Sequence, residues 1–574
     1  MIRRIRVAGA ALALLLVATL ATAAAARAAP APADSSRSAW ANARELSDRG
    51  RYDEALTVVR RGLARDPDNV DLLWLEAGIV GWSGRHAEAV RRYERLVARH
   101  PELATDVRTD LATERLWSDD PQGALRDLDV RLEEEPGDMQ ARIVRALALS
   151  HADRLAESLA AYDTLINESP ADVGLRLQRA RVLTWMGRSA EAAAAYRDAL
   201  SRDRGNRDAR LGLARLQNDA GRHRQAVVEL TALAGDPDAD PEVMKTLAFA
   251  HYWSGDPALA RRAIEAFLAQ RPRDREALEL RRRIERETGA SVSLAYGRSD
   301  DSDALRIGTT TLGLALPLGP RNRVTFTGQR DNVRDPGGTR DPLQLGAGLE
   351  TIWSAQWVTR ANGAWVQFGD PGGTAGLGEL AVTWRPDDRV RFDAGVSRDL
   401  VMTRPSLAQG ISTQTWVSGA DVRPAERWLL HAEARQRFYS DGNRAQAEAF
   451  YARADAWSDR TRRLSLLVRV EQLRTRLDLD HGYYDPEQYL EWGPGADAEW
   501  IPRPGVTISG NGATGWQRER GAETRPFVSV SGRIEWTLER FATVALEAGR
   551  SNSNLQSASG YERRRWAVSI TRGF

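Results

Sequence analysis

Cysteine is missing from the whole chain. That excludes disulfides, a lipid-anchored N-terminal cysteine, thiolate catalysis and metal sites of the cysteine type. Lysine is nearly as scarce: Lys245 stands alone, and arginine carries the positive charge. Neither sign of charge dominates. With 81 basic against 79 acidic residues the net charge is +2, which implies no concentrated basic face and argues against a nucleic-acid partner. The seven histidines are scattered, no H-E-x-x-H pair or P-loop occurs, and Val506-Thr507-Ile508-Ser509-Gly510 lacks the strand-to-helix context of a nucleophile elbow. The acidic pairs Asp300-Asp301 and Asp387-Asp388 fall at turns, where aspartate serves local hydrogen bonds. No catalytic residue, cofactor or metal site is expected, and the chain is not expected to be an enzyme.

Long apolar runs are lacking as well, with one exception. Arg3, Arg4 and Arg6 precede an apolar run from Val7 to Leu20 and an alanine-rich stretch ending near Ala29, the layout of a secretory signal peptide over residues 1–29. Beyond it no window approaches the ~20 consecutive apolar residues of a membrane-spanning helix. If the mature protein crosses a membrane, it does so as a closed barrel.

What is present is periodic. Small residues recur at Ala55, Ala89, Ala124, Ser158, Ala192, Ala226 and Ala260, steps of 34 or 35, with Val59, Tyr93, Leu128, Tyr162, Tyr196, Leu230 and Ile264 four residues on. This is the A-x3-F spacing of the tetratricopeptide repeat. Proline follows twelve residues after the small position at Pro67, Pro101, Pro136, Pro170 and Pro272, while Arg204 and Asp238 take its place in repeats five and six. Seven repeats over roughly 36–272, capped by a charged helix from Asp274 to Glu287, give a helical solenoid ending near residue 290.

One feature exceeds the generic repeat. Trp82, Trp117, Trp185 and Trp253 each lie seven residues before a small position, at the end of a first helix. The indole can cover the helix turn, or a ladder of indole faces can meet sugar rings or a partner peptide.

From about Ser291 the helical period gives way to period two. In Phe527 to Leu538, Val528, Val530, Ile534, Trp536 and Leu538 share one face, while Ser529, Ser531, Arg533, Glu535 and Thr537 share the other. Short connections such as Pro317 to Asn322 and Arg385 to Asp388 alternate with long ones such as Asp399 to Gly410 and Leu477 to Gln488. That rhythm predicts an antiparallel transmembrane β-barrel over 291–574 with about 16 strands, 14 being the competing count. The last strand puts Trp566, Val568, Ile570 and the terminal Phe574 on the apolar face, with Arg572 in a position often aromatic. Tyr483, Tyr484 and Tyr489 crowd a long loop, either ordering it or offering stacking faces inside the lumen.

The combination resembles outer-membrane exporters of exopolysaccharides: the poly-N-acetylglucosamine export porin, the cellulose-secretion outer-membrane subunit and the YaiO-like barrel family. The echoes are Trp82-Ser83-Gly84-Arg85, Trp253-Ser254-Gly255, the run Gly482-Tyr483-Tyr484-Asp485-Pro486-Glu487-Gln488-Tyr489 and the ending Tyr561-Glu562-Arg563-Arg564-Arg565-Trp566. The resemblance implies a barrel in the bacterial outer membrane and repeats in the periplasm. Its partners would be an exopolysaccharide, periplasmic proteins, and the barrel assembly machinery that reads Phe574. The four tryptophans and three tyrosines become candidate glycan or partner contacts. The alternative is an interaction scaffold or surface receptor that uses the barrel as an anchor.

Overall fold

The computed structural model describes residues 32–574, apart from 237–238, 369–372, 460, 480, 539–541 and 555–561. The expected signal segment lies outside the described residues. The chain divides into two compact units, one ending at Leu216 and one running from Gln217 to Phe574.

The first unit is a stack of helix pairs, from Pro32–Asp48 with Tyr52–Leu63 through Val173–Trp185 with Ser189–Arg202. Two residues past the proline position an Asn or Asp caps the next pair: Asn69 accepts the N–H of Leu72 at 3.1 Å, Asp138 that of Ala141 at 3.0 Å, and Asp172 that of Leu175 at 3.2 Å. The tight turn inside each pair puts one residue at positive φ. Gly50, Gly84 and Gly187 hold it at 76°, 85° and 72°, and Asp119 and Asp153 at 70° and 61°, a conformation that short polar side chains tolerate better than others.

Packing explains the 34-residue period. Ala55, Ala89, Ala124, Ser158 and Ala192 are all 0% exposed, because the helices touch where these small side chains stand. Ser158 meets the demand of a buried hydroxyl by donating to the Ala146 carbonyl at 2.7 Å. Four residues on, Val59, Tyr93, Leu128, Tyr162 and Tyr196 are also buried. Each such side chain contributes about 1.5–3 kcal/mol by leaving water.

The second unit holds the final helices, His223–Ala234, Pro241–Ser254, Pro257–Gln270 and Arg275–Thr288, followed by an antiparallel barrel. Sixteen barrel strands run from Ser291–Asp301 to Arg563–Gly573 among the described residues. The three-residue strand Gly338–Arg340 pairs with the end of Asn322–Asp335 as a ribbon beyond the wall. Closure is direct: Ser291 opposes Gly573 and Asp301 opposes Arg563. Phe574, 72% exposed, donates its backbone N–H to the Ala290 carbonyl at 3.1 Å.

The helices of this unit grip the short-turn end of the barrel. Arg224 donates its backbone N–H to the Asp388 carboxylate and a guanidinium N–H to the Ala355 carbonyl, both at 2.8 Å. Asp256, 4% exposed, caps Leu259 at 3.0 Å and accepts from Arg321 at 2.9 Å. Both chain ends of the barrel therefore lie at the turn end, opposite the long loops.

Candidate functional site

Along the first unit a row of rings runs through successive helix pairs. Trp117 and Trp185 are 39% and 51% exposed. Between them stands His151, its ring centroid 5.8 Å from that of Trp117 and 6.1 Å from that of Trp185, edge-on to both. His151 lies seven residues before Ser158, so it occupies the tryptophan position of repeat four. Burial holds its imidazole below the ordinary value, with Asp119 pulling weakly the other way. His86 extends the row with its centroid 6.4 Å from Trp117, and its ring N–H donates to Glu114 at 2.8 Å. A Cβ at Gly81 would stand 2.3 Å from the Glu114 carboxylate, so a larger residue there would displace that carboxylate.

Trp82 sits differently. It is half-buried against the cluster of Ala55, Leu75, Ile79 and Ala89, and the Arg44 guanidinium lies 4.9 Å over its ring. In the second unit Trp253 is 50% exposed, stacked at 6.4 Å with His223 and edge-on at 5.1 Å to Tyr252. Arg283 covers it from 5.1 Å, and the Tyr252 hydroxyl donates to Glu287 at 2.5 Å.

The barrel wall separates two chemistries by strand alternation. Outward stand Leu294, Leu312, Phe326, Leu380, Leu546 and Ile570, all exposed. Two aromatic belts bound this apolar zone: Trp357, Trp384, Trp428, Trp500 and Trp536 at the turn end, and Tyr296, Trp365, Trp416, Trp516 and Trp566 at the loop end, every ring 38–57% exposed. Inward, arginines pair with carboxylates: Arg360 with Glu350 at 2.6 Å, Arg391 with Asp393 at 2.7 Å, Arg533 with Glu535 at 3.0 Å and Arg565 with Glu547 at 3.2 Å.

At the loop end one connection folds inward against the wall. The short helix Arg404–Ala408 carries Leu407 into a buried cluster with Leu305, Val333, Val366 and Phe368, although strand alternation points Val333 and Val366 into the lumen. Arg404 pairs with Asp335 at 2.6 Å, and Ser406 donates to the His481 carbonyl at 2.8 Å. The loop 401–411 thus links strands on one side of the barrel to the loop 477–488.

That second loop holds Tyr483 and Tyr484, and Tyr489 opens the strand that follows it, Tyr489–Arg503. Tyr483 is 8% exposed, stacked on Tyr439 at 4.3 Å, and its hydroxyl donates to Asp441 at 2.8 Å. Tyr489 is fully buried and donates to Glu491 at 2.9 Å. Tyr484, half-buried, donates to Glu519 at 2.5 Å. In this arrangement Tyr483 and Tyr489 order the loop and present no open ring face.

Sequence reasoning missed the imidazoles and the inward-packed loop. The period itself could have found His151, and Val333 is an apolar residue on a strand face that is otherwise polar, with Arg323, Thr325, Thr327, Gln329 and Asp331.

Models of the tetratricopeptide repeat match residues 41–80 and 185–233. Comparison with curated proteins gives no match. Similar solved structures include a bacterial polysaccharide outer membrane secretin, 13% identical, with 50% of this chain and 99% of that chain covered and a TM-score of 0.43. A tetratricopeptide repeat protein from Parabacteroides merdae is 16% identical over 44% of this chain and 99% of its own, with a TM-score of 0.39. CdiB from Acinetobacter baumannii is 7% identical over 49% of this chain and 60% of its own, with a TM-score of 0.34. With its repeat matches and its own strand pairing, the chain is a tetratricopeptide solenoid followed by a closed 16-strand barrel.

Proposed function

We propose that this chain passes an exopolysaccharide across the bacterial outer membrane. Residues 1–29 direct secretion, 36–290 form a periplasmic docking and guiding array, and 291–574 form the conduit. The single observation that carries the reading is the two-faced wall. An apolar zone between two aromatic belts suits a bilayer, and a lumen of paired charges suits a hydrated polymer held weakly at many sites and tightly at none. Trp117, Trp185 and Trp253 offer half-exposed indoles to sugar rings, whereas Trp82 serves its own helix pair. Passage needs no bond-making residue, so the chain acts as a transporter and not as an enzyme. Periplasmic proteins would dock on the repeats, and the assembly machinery would take the strand ending in Phe574.

The inward-packed loop 401–411 favours a second reading, in which the barrel stays shut and serves as an anchor or surface receptor. Planar bilayers separate the two. An exporter lacking residues 403–410 should show a large gain in conductance that long oligosaccharides block. A barrel still closed after that deletion supports the anchor.

A further inference from the structure

The loop end of the barrel carries a second exposed surface, which the passage of a polymer does not use. Strand pairing sets Arg550 opposite Arg564, Arg564 opposite Asp300, Asp300 opposite Arg306, and Arg306 opposite Arg334. One row across five neighbouring strands therefore holds four arginines and one aspartate. Arg298 and Arg330 lie beside it, and all six guanidinium groups are exposed.

Alternation puts this row on the lipid side. Arg298 shares its face with Tyr296 and Leu294, and Arg564 shares its face with Trp566 and Ile570, all of them outward apolar residues. The Tyr296 and Trp566 rings meet at 5.4 Å in the loop-end belt. Arg564 stands two residues beyond Trp566, about 7 Å further along the strand. That is the depth of a headgroup, just past the interfacial aromatics.

Like charges set directly across a strand pair disfavour the sheet. The carboxylates at hand do not balance them: Asp300 takes Arg298 at 2.9 Å and Arg306 at 3.5 Å, Glu562 takes Arg550 at 3.0 Å, and Asp341 takes Arg330 at 3.8 Å. Six positive groups against three negative ones leave a surplus of three. The inward arginine of the same strand, Arg565, is already paired across the lumen wall with Glu547 and adds nothing outward.

We propose that this patch, on the strands that hold Arg550, Arg564, Arg298, Arg306 and Arg334, binds the phosphorylated headgroup of a glycolipid in the surrounding outer leaflet. A guanidinium offers paired N–H donors matched to phosphate oxygens, and two neighbouring strands bring two such forks to one phosphate. The apolar zone below receives the acyl chains. The inference rests on the outer-membrane reading above.

The test uses full-length protein refolded into phosphatidylcholine vesicles that also contain bis-phosphorylated lipid A, its dephosphorylated form, or phosphatidylglycerol. Heat-dependent gel mobility reports the barrel, and native mass spectrometry of gently extracted protein reports retained lipid. The wild type should keep bis-phosphorylated lipid A, and the double variant Arg306→Gln, Arg564→Gln should keep about tenfold less with an unchanged gel shift. Equal retention by the variant, or by the wild type of the dephosphorylated lipid or of phosphatidylglycerol, overturns the proposal. Displacement of the lipid by millimolar inorganic phosphate also overturns it, in favour of a free-ion site. Absence of a gel shift in every vesicle overturns the membrane reading itself and the proposal with it, so the two failures are read on separate instruments.

Discussion

His151 stands edge-on between Trp117 and Trp185, an imidazole in the place where four other repeats carry an indole. Because burial lowers its proton affinity, the unfolded chain binds that proton more readily than the folded array does. The contribution of the neutral ring is whole above about pH 6.5 and declines as pH falls below it. Residues 32–216 should therefore lose more thermal stability between neutral and mildly acidic pH than the His151→Trp variant, which removes the titrating group. Identical pH dependence in melting curves of the two proteins would refute this.

The exposed and the covered tryptophans should part company on mutation. Trp117→Ala and Trp185→Ala are expected to weaken binding of cello- or chitooligosaccharides by about 1 kcal/mol each while helicity holds. Trp82→Ala should instead lower the melting temperature, since its ring is part of a buried cluster. Calorimetric titration and circular dichroism check both halves, and oligosaccharide binding that survives loss of all the exposed indoles removes them from the polymer's path.

Backbone and packing give two opposite stability changes in the array. Asp153→Gly relieves an L-residue held at φ 61° and should stabilise the fold by about 0.5–1 kcal/mol. Ala192→Leu forces a side chain into a site that is 0% exposed and should cost about 1–3 kcal/mol. Denaturant midpoints report both, and a destabilised Asp153→Gly would contradict the assigned turn geometry.

Phe574 ties the last strand back to Ala290 through its backbone and leaves its ring outward. Deleting it should reduce the heat-shifted, membrane-inserted fraction in cells while residues 32–216 remain folded to limited proteolysis. Undiminished insertion would separate the terminal aromatic from assembly.

Much of this was legible because it is periodic. The 34-residue step located every small contact position from Ala55 to Ala260, and all are fully buried, since the packing of helix on helix admits one geometry per repeat. Period-two alternation marked the strands, because each has one face in each of two solvents, and the alternation of short and long connections marked the barrel and its even strand number. Apart from His151, which lies on the 34-residue period, what escaped has no period. Arg404, Ser406 and Leu407 fold into the mouth through contacts with Asp335, the His481 carbonyl and Val333, partners 69, 75 and 74 residues away along the chain, and no local pattern records them. For the tyrosine-rich segment the sequence left two readings open, an ordered loop or stacking faces in the lumen, and the choice rests on Asp441, Asn443 and Glu491, which hold the Tyr483 and Tyr489 hydroxyls by hydrogen bonds that no local pattern records.

The inward-packed loop makes its own prediction. Leu407→Asp places a carboxylate against Val333 and Val366 and should free the loop 401–411, raising single-channel conductance without loss of the heat-shifted barrel. An unchanged conductance in lipid bilayers means that the loop does not limit passage through the lumen.

The central claim is passage of a polysaccharide, and the most direct measurement is where the polymer goes. In the source bacterium, carbohydrate is quantified on the cell surface and in the periplasm of the wild type, of a strain lacking this chain, and of that strain complemented with it. The account predicts that deletion moves one polysaccharide from the surface into the periplasm and that complementation moves it back. Surface polysaccharide of unchanged amount and composition in the deletion strain, with nothing retained in the periplasm, would contradict it.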